Sequence, residues 1–135
     1  MINKFKPADE WLRQAEYDLE TALAMFDSAR YIYTVFMCHL SIEKGLKAIY
    51  SECYSDNPPK THNLLYLLTK IRDKRSLKLE EKHFETLKKL NTISAPVRYP
   101  ENLFDLMKDF DKEKTQNLLS KTKELLKWMK NNIKE

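Results

Sequence analysis

"YIYTVFMCHLSIEKGLKAIY", residues 31–50, decides the fold. Its first twelve positions contain no Asp, Glu, Lys or Arg, and a bilayer span needs about 20 apolar residues. The stretch therefore predicts a helix, apolar nearly all round, that must be covered by protein on every side. A central helix with two apolar faces can serve its own core and a symmetry mate, so self-association is expected. The same stretch holds Gly45, the only glycine in the chain, where it costs about 1 kcal/mol relative to alanine in a helix interior. A missing side chain lets another backbone or a ligand come close, and helix-to-helix contact is the leading explanation.

Outward from this segment the pattern stays helical. Upstream, Pro7, Ala8 and Asp9 open a first helix, with Asp9 placed to cap it. Its apolar stripe of Leu12, Ala15, Leu19, Ala22, Leu23 and Phe26 runs to about Asp27. Downstream, the central helix continues to about Tyr54 and "SDNPPKTHN" breaks it, with Thr61 suited to cap a short helix, "HNLLYLLTKIRD". Leu79 to about Ser94 reads as a fourth helix, with Phe84, Leu87, Leu90 and Ile93 inward, and Pro96 and Pro100 hold "VRY" outside regular helix. Asp111 starts the last helix, with Leu118, Thr122, Leu125, Met129 and Ile133 as its stripe. With no alternating apolar run and no hairpin signal, the fold class is all-α. The expected architecture is an antiparallel bundle of four long helices and one short one.

A chain of 135 residues, 42% hydrophobic, with no flexible or repetitive stretch, predicts a single domain over 1–135 with its core at about 9–133. "MINKFKPADEW" lacks the apolar core of a signal peptide, so a cytoplasmic location with no membrane contact is expected. Cys38 and Cys53 have no paired spacing, which points to buried reduced thiols rather than a disulfide or zinc framework. The net charge of +4 is too small to announce nucleic acid. It is uneven, however. Residues 70–89 hold eight basic and four acidic side chains, a stretch that suits a solvated face first and a phosphate-bearing partner second.

Two constellations could carry chemistry. His39, Glu43 and Lys47 recur at steps of four and share one helix face, with Lys44 about 100° round from Glu43. An i,i+4 ion pair beside a core histidine accounts for them economically. A metal would need a third ligand, and His62 and His83 stand in no metal-type spacing. No metal or other cofactor is expected. No serine stands in a strand-to-helix elbow, neither cysteine has an evident histidine partner, and one glycine cannot build a phosphate loop. The second constellation is "SAPVRYPEN", residues 94–102. There Arg98 offers a fork of donors to phosphate and Tyr99 a ring or hydroxyl to a base or ribose. Equally, Arg98 can tie down helix-end carbonyls while Tyr99 packs on the core.

Together, "WLRQAEYDLETALAMF", the His39-to-Lys47 block, "THNLLYLL" and "VRYPEN" resemble the HEPN family. The resemblance implies a bundle that commonly dimerises. It also implies a minimal nucleotidyltransferase as partner, in a two-component system of the toxin–antitoxin kind. Many HEPN relatives are metal-independent ribonucleases whose activity depends on an Arg followed four to six residues later by His. That motif is absent here: eight residues separate Arg30 from His39, seven separate Arg75 from His83, and no histidine follows Arg98. The leading expectation is a dimeric partner of a nucleotidyltransferase that binds nucleotide or RNA through Glu43, Lys44, Lys47, Arg98 and Tyr99. The alternatives are a ribonuclease with a rearranged site, using Arg98 with His39 or His62, and a purely structural dimeric protein.

Overall fold

The computed structural model describes residues 5–133 and arranges them as six helices. These are α1 (Ala8–Asp27), α2 (Tyr31–Tyr54), α3 (Leu64–Lys74), α4 (Glu81–Arg98), α5 (Leu103–Asp109) and α6 (Lys112–Ile133). There is no strand among the described residues. No helix among them is long and apolar enough to cross a membrane.

α1 and α2 form an antiparallel hairpin around a tight turn in which Ala29 takes a φ of 59°. Small side chains let the two backbones approach. Ala15 and Ala22 of α1 are fully buried, and α2 answers with Ser41, whose hydroxyl donates to the Ala15 carbonyl at 2.7 Å, and Ser51, which donates to the Lys6 carbonyl at 2.7 Å. Those hydrogen bonds keep two buried hydroxyls from costing the 1–3 kcal/mol or so of an unpaired polar group. α2 is the hub of the molecule, packed by α1, α3, α4 and α6. Val35, Cys38, Ile42, Leu46 and Ile49 are fully or almost fully enclosed. The uncharged segment is thus largely covered by its own bundle, and Tyr33 is its one well-exposed residue. The expected stripe of α6, Leu118 to Ile133, is buried throughout.

α6 lies directly on Gly45. A Cβ at that position would stand 2.7 Å from Met129 Sδ and 3.2 Å from Leu126 Cδ1. The close approach is therefore between helices, as the sequence suggests.

Four local expectations need correction. α4 does not stop near Ser94: it carries Pro96 inside its last turn and ends at Arg98. Proline there removes one helical hydrogen bond and crowds the preceding turn. Tertiary contacts hold the turn nonetheless, because Val97 is buried, Arg98 is gripped from α2, and the Tyr99 N–H donates to the Ala95 carbonyl. α5 is a second short helix beyond the one expected, capped by Asn102, whose side chain accepts from the Asp105 N–H at 3.1 Å. α3 starts two residues later than Thr61 could cap, so Asn63 accepts from the Tyr66 N–H instead and Thr61 accepts from the Asn63 N–H. At α1, extended Pro7 takes the boundary position and Asp9 sits inside the first turn, with no side-chain cap. Asp111 does cap α6, accepting from the Lys114 N–H at 2.9 Å. Cys38 is buried, which pushes its thiol up to about 12, whereas Cys53 is only half-buried; both are free.

Candidate functional site

Glu43 is the centre of the site. It lies on the inner half of α2 and is 4% exposed, a depth at which an unpaired carboxylate would cost several kcal/mol. Its neighbours come from three parts of the chain. One turn along α2, Lys47 donates from Nζ to Glu43 Oε2 at 2.9 Å. From the segment between α2 and α3, His62 Nδ1 donates to Oε1 at 2.9 Å. From the last turn of α4, Arg98 Nη2 stands 3.9 Å from the same Oε1. The Arg98 guanidinium also lies over the Phe36 ring, 4.8 Å from its centre, an arrangement worth up to about 2 kcal/mol when desolvated.

His39 lies one turn before Glu43 and is fully buried. Its Nε2 is 3.1 Å from the His62 carbonyl, and a carbonyl only accepts, so Nε2 carries the proton and donates. Nδ1 is then a lone pair facing the carboxylate, 3.8 Å from Glu43 Oε1, with no donor of its own. Burial pushes the His39 pKa down to about 4. The imidazole is therefore neutral near pH 7. It is a strut between α2 and the residue 62 segment, with no access to an outside substrate.

That placement has a pH consequence. Unfolded, the ring titrates near 6.5, and folded, near 4. The contribution is complete above pH 6.5. Between 6.5 and 4 the unfolded chain takes up a proton that the folded chain does not, and stability falls by about 3 kcal/mol. Urea denaturation at pH 7 and pH 4.5 should show this loss in the wild type. His39→Gln, which can still donate to the His62 carbonyl, should show a shallower decline.

The remaining residues singled out from the sequence lie elsewhere. Lys44 points to α1, where its Nζ meets Asp18 at 2.8 Å. Tyr99 is 80% exposed and lines an open hollow of about 570 Å³ with Asn102 and Asp105. Arg98 lines a different, more enclosed cleft. This cleft of about 520 Å³ is bounded by the start of α2, the end of α4, α5 and the start of α6. Arg30 and Lys112 stand on its walls with Arg98, and Tyr31 and Tyr33 line it beside apolar Leu103 and Met107. Arg30, Lys112 and the two tyrosines carried no functional weight in the sequence. They become visible only when the end of α4 is folded against the start of α2.

Within Arg98 itself, Nε and Nη2 are buried without a hydrogen-bond acceptor. The carboxylate of Glu43 balances the charge but lies beyond hydrogen-bonding distance of Nη2.

The model of the HEPN domain matches residues 8–133. Among solved structures the chain is similar to TT1696 from Thermus thermophilus, with 21% identity, 92% of this chain and 96% of that one covered, and a TM-score of 0.74. It is also similar to ST0689, an archaeal HEPN homologue, with 20% identity, 96% and 99% covered, and a TM-score of 0.75. At these identities the likeness concerns the fold. No curated protein matches the sequence.

Proposed function

This chain belongs to the HEPN domain family, and from that premise we propose that it is a nucleotide- or RNA-binding module. It acts as a dimer beside a minimal nucleotidyltransferase in a toxin–antitoxin-like pair, and its ligand enters the Arg98 cleft. The observation that carries the binding claim is the cleft itself, on which the partly exposed side chain of Arg98 stands with Arg30, Lys112 and two tyrosines. A phosphate group is attracted by the cationic groups of Arg98, Arg30 and Lys112 and can accept from those that reach the cleft. A base can stack on tyrosine. Glu43 holds Arg98 in place from behind, and the partnership with a nucleotidyltransferase rests on the family resemblance alone.

Isothermal titration with ADP and with a short single-stranded RNA tests the reading. Arg98→Ala should weaken both by about ten- to a hundredfold, the range for charge-assisted hydrogen bonds. Because Arg98 also contacts Glu43, Arg30→Ala is the cleaner variant: its side chain is exposed and outside that network. It should lose several-fold in affinity at unchanged stability. Wild-type affinity in both variants would exclude the cleft.

One observation favours a second reading, a ribonuclease with a rearranged site. His62 is 61% exposed at its side chain and is oriented by a carboxylate through Nδ1, which leaves Nε2 as the ring nitrogen for acid–base work. Buried His39 cannot share that task. RNA cleavage in chelator that His62→Ala abolishes would support this reading over simple binding.

A further inference from the structure

A groove of about 550 Å³ runs between α4 and α6 and shares no lining residue with the Arg98 cleft. Lys82 and Lys89 stand on its α4 wall, and Lys114 and Lys121 on its α6 wall. Each pair is seven residues apart, which is two turns, so both members face the groove about 10 Å apart along the helix. Two carboxylates share the lining, but both are already engaged: Glu85 meets Lys88 at 3.2 Å and Glu124 meets Lys82 at 3.6 Å. Lys89, Lys114 and Lys121 have no ion pair among the described residues. The lining also holds Asn117 and the ring of His83, which is 5% exposed, packs against Trp128 at 5.8 Å, and has no hydrogen-bond partner among the described residues.

Unpaired cations strung along two walls suit a chain of anions better than a single one. Helices packed about 8–10 Å apart leave a furrow one strand wide, too narrow for a duplex. We propose that this groove is a second anion site that binds the phosphate backbone of single-stranded RNA. His83 and Asn117 add neutral hydrogen-bonding groups to the contacts of the three lysines. The site lies apart from the Arg98 cleft, and its assignment stands independently of the role proposed there.

Fluorescence anisotropy of a labelled 12-nucleotide oligo-U, titrated over a range of salt, tests it. Each backbone contact to a single strand adds about 0.7 to the slope of log K against log salt. Combined Lys89→Ala, Lys114→Ala and Lys121→Ala should therefore reduce that slope by about 2 and weaken binding at low salt by tenfold or more. Arg98→Ala should leave the groove's share of the slope in place. Recognition of the backbone alone also predicts displacement by unlabelled oligo-dT, and by tripolyphosphate at matched phosphate concentration. A folded triple variant with wild-type slope and affinity would overturn the proposal, as would failure of both competitors.

Discussion

Glu43→Ala is expected to lower the unfolding free energy by about 3–5 kcal/mol, the range for breaking a buried ion pair by removing one partner. The reason lies in what is left behind. Lys47 is 7% exposed and loses the carboxylate it pairs with, retaining the Trp11 ring at 5.5 Å as a cation–π partner among the described residues. Arg98 loses its counter-charge, and His62 loses the acceptor that fixes its ring. A domain of this size has about 5–15 kcal/mol in total, so the loss is a large fraction of its stability. Glu43→Gln should fall in between, because an amide oxygen can still accept from Lys47 or His62 while the charge is gone. Urea denaturation of the three proteins checks the order. A loss under 1 kcal/mol for the alanine variant would mean that the network is dispensable for the fold.

Gly45→Leu is the second large effect. Even a methyl carbon there would press on Met129 Sδ at 2.7 Å and Leu126 Cδ1 at 3.2 Å, and both side chains are essentially fully buried. Leucine adds three more carbons between α2 and α6, and overpacking on that scale costs about 3 kcal/mol or more. Better helix propensity returns somewhat under 1 kcal/mol. Gly45→Ala should stay within about 1 kcal/mol of wild type, since the Met129 thioether can swing aside. The steric origin predicts coupling: Met129→Ala destabilises the wild type, but in the Gly45→Leu background it should restore part of the loss. Purely additive effects would place the strain elsewhere.

The two variants also mark what is legible in the sequence. α2 declares itself through an uncharged run that only a protein interior can cover, and Gly45 through a cost that only close packing explains. The Glu43–Lys47 pair follows from helical spacing. The meeting of His62 and Arg98 on the same carboxylate does not, because they lie 19 and 55 positions further along the chain and reach it only through tertiary packing. Lys44 shows the limit of reading a helix as one polar block: a rotation of about 100° turns it to α1 and Asp18. α5 buries no residue, so its apolar positions carry no inward period, and Asn102 followed by Asp105 is the only signal of its start. At Pro96 the local rule is sound, but burial of Val97 and the grip on Arg98 outweigh it. The cleft is the least legible feature, since its walls come from four helices and its aromatic residues look like core in the sequence.

The central claim is that the Arg98 cleft receives a nucleotide phosphate, and the direct measurement is a ¹⁵N–¹H correlation spectrum of the full chain titrated with ADP. A mononucleotide separates this cleft from the lysine groove, where a chain of phosphates is required. The account predicts progressive shifts at Arg30, Tyr31, Tyr33, Arg98 and Lys112, together with the Arg98 Nε–H resonance. Millimolar ADP that leaves those signals in place, or moves only signals from other faces, would contradict it.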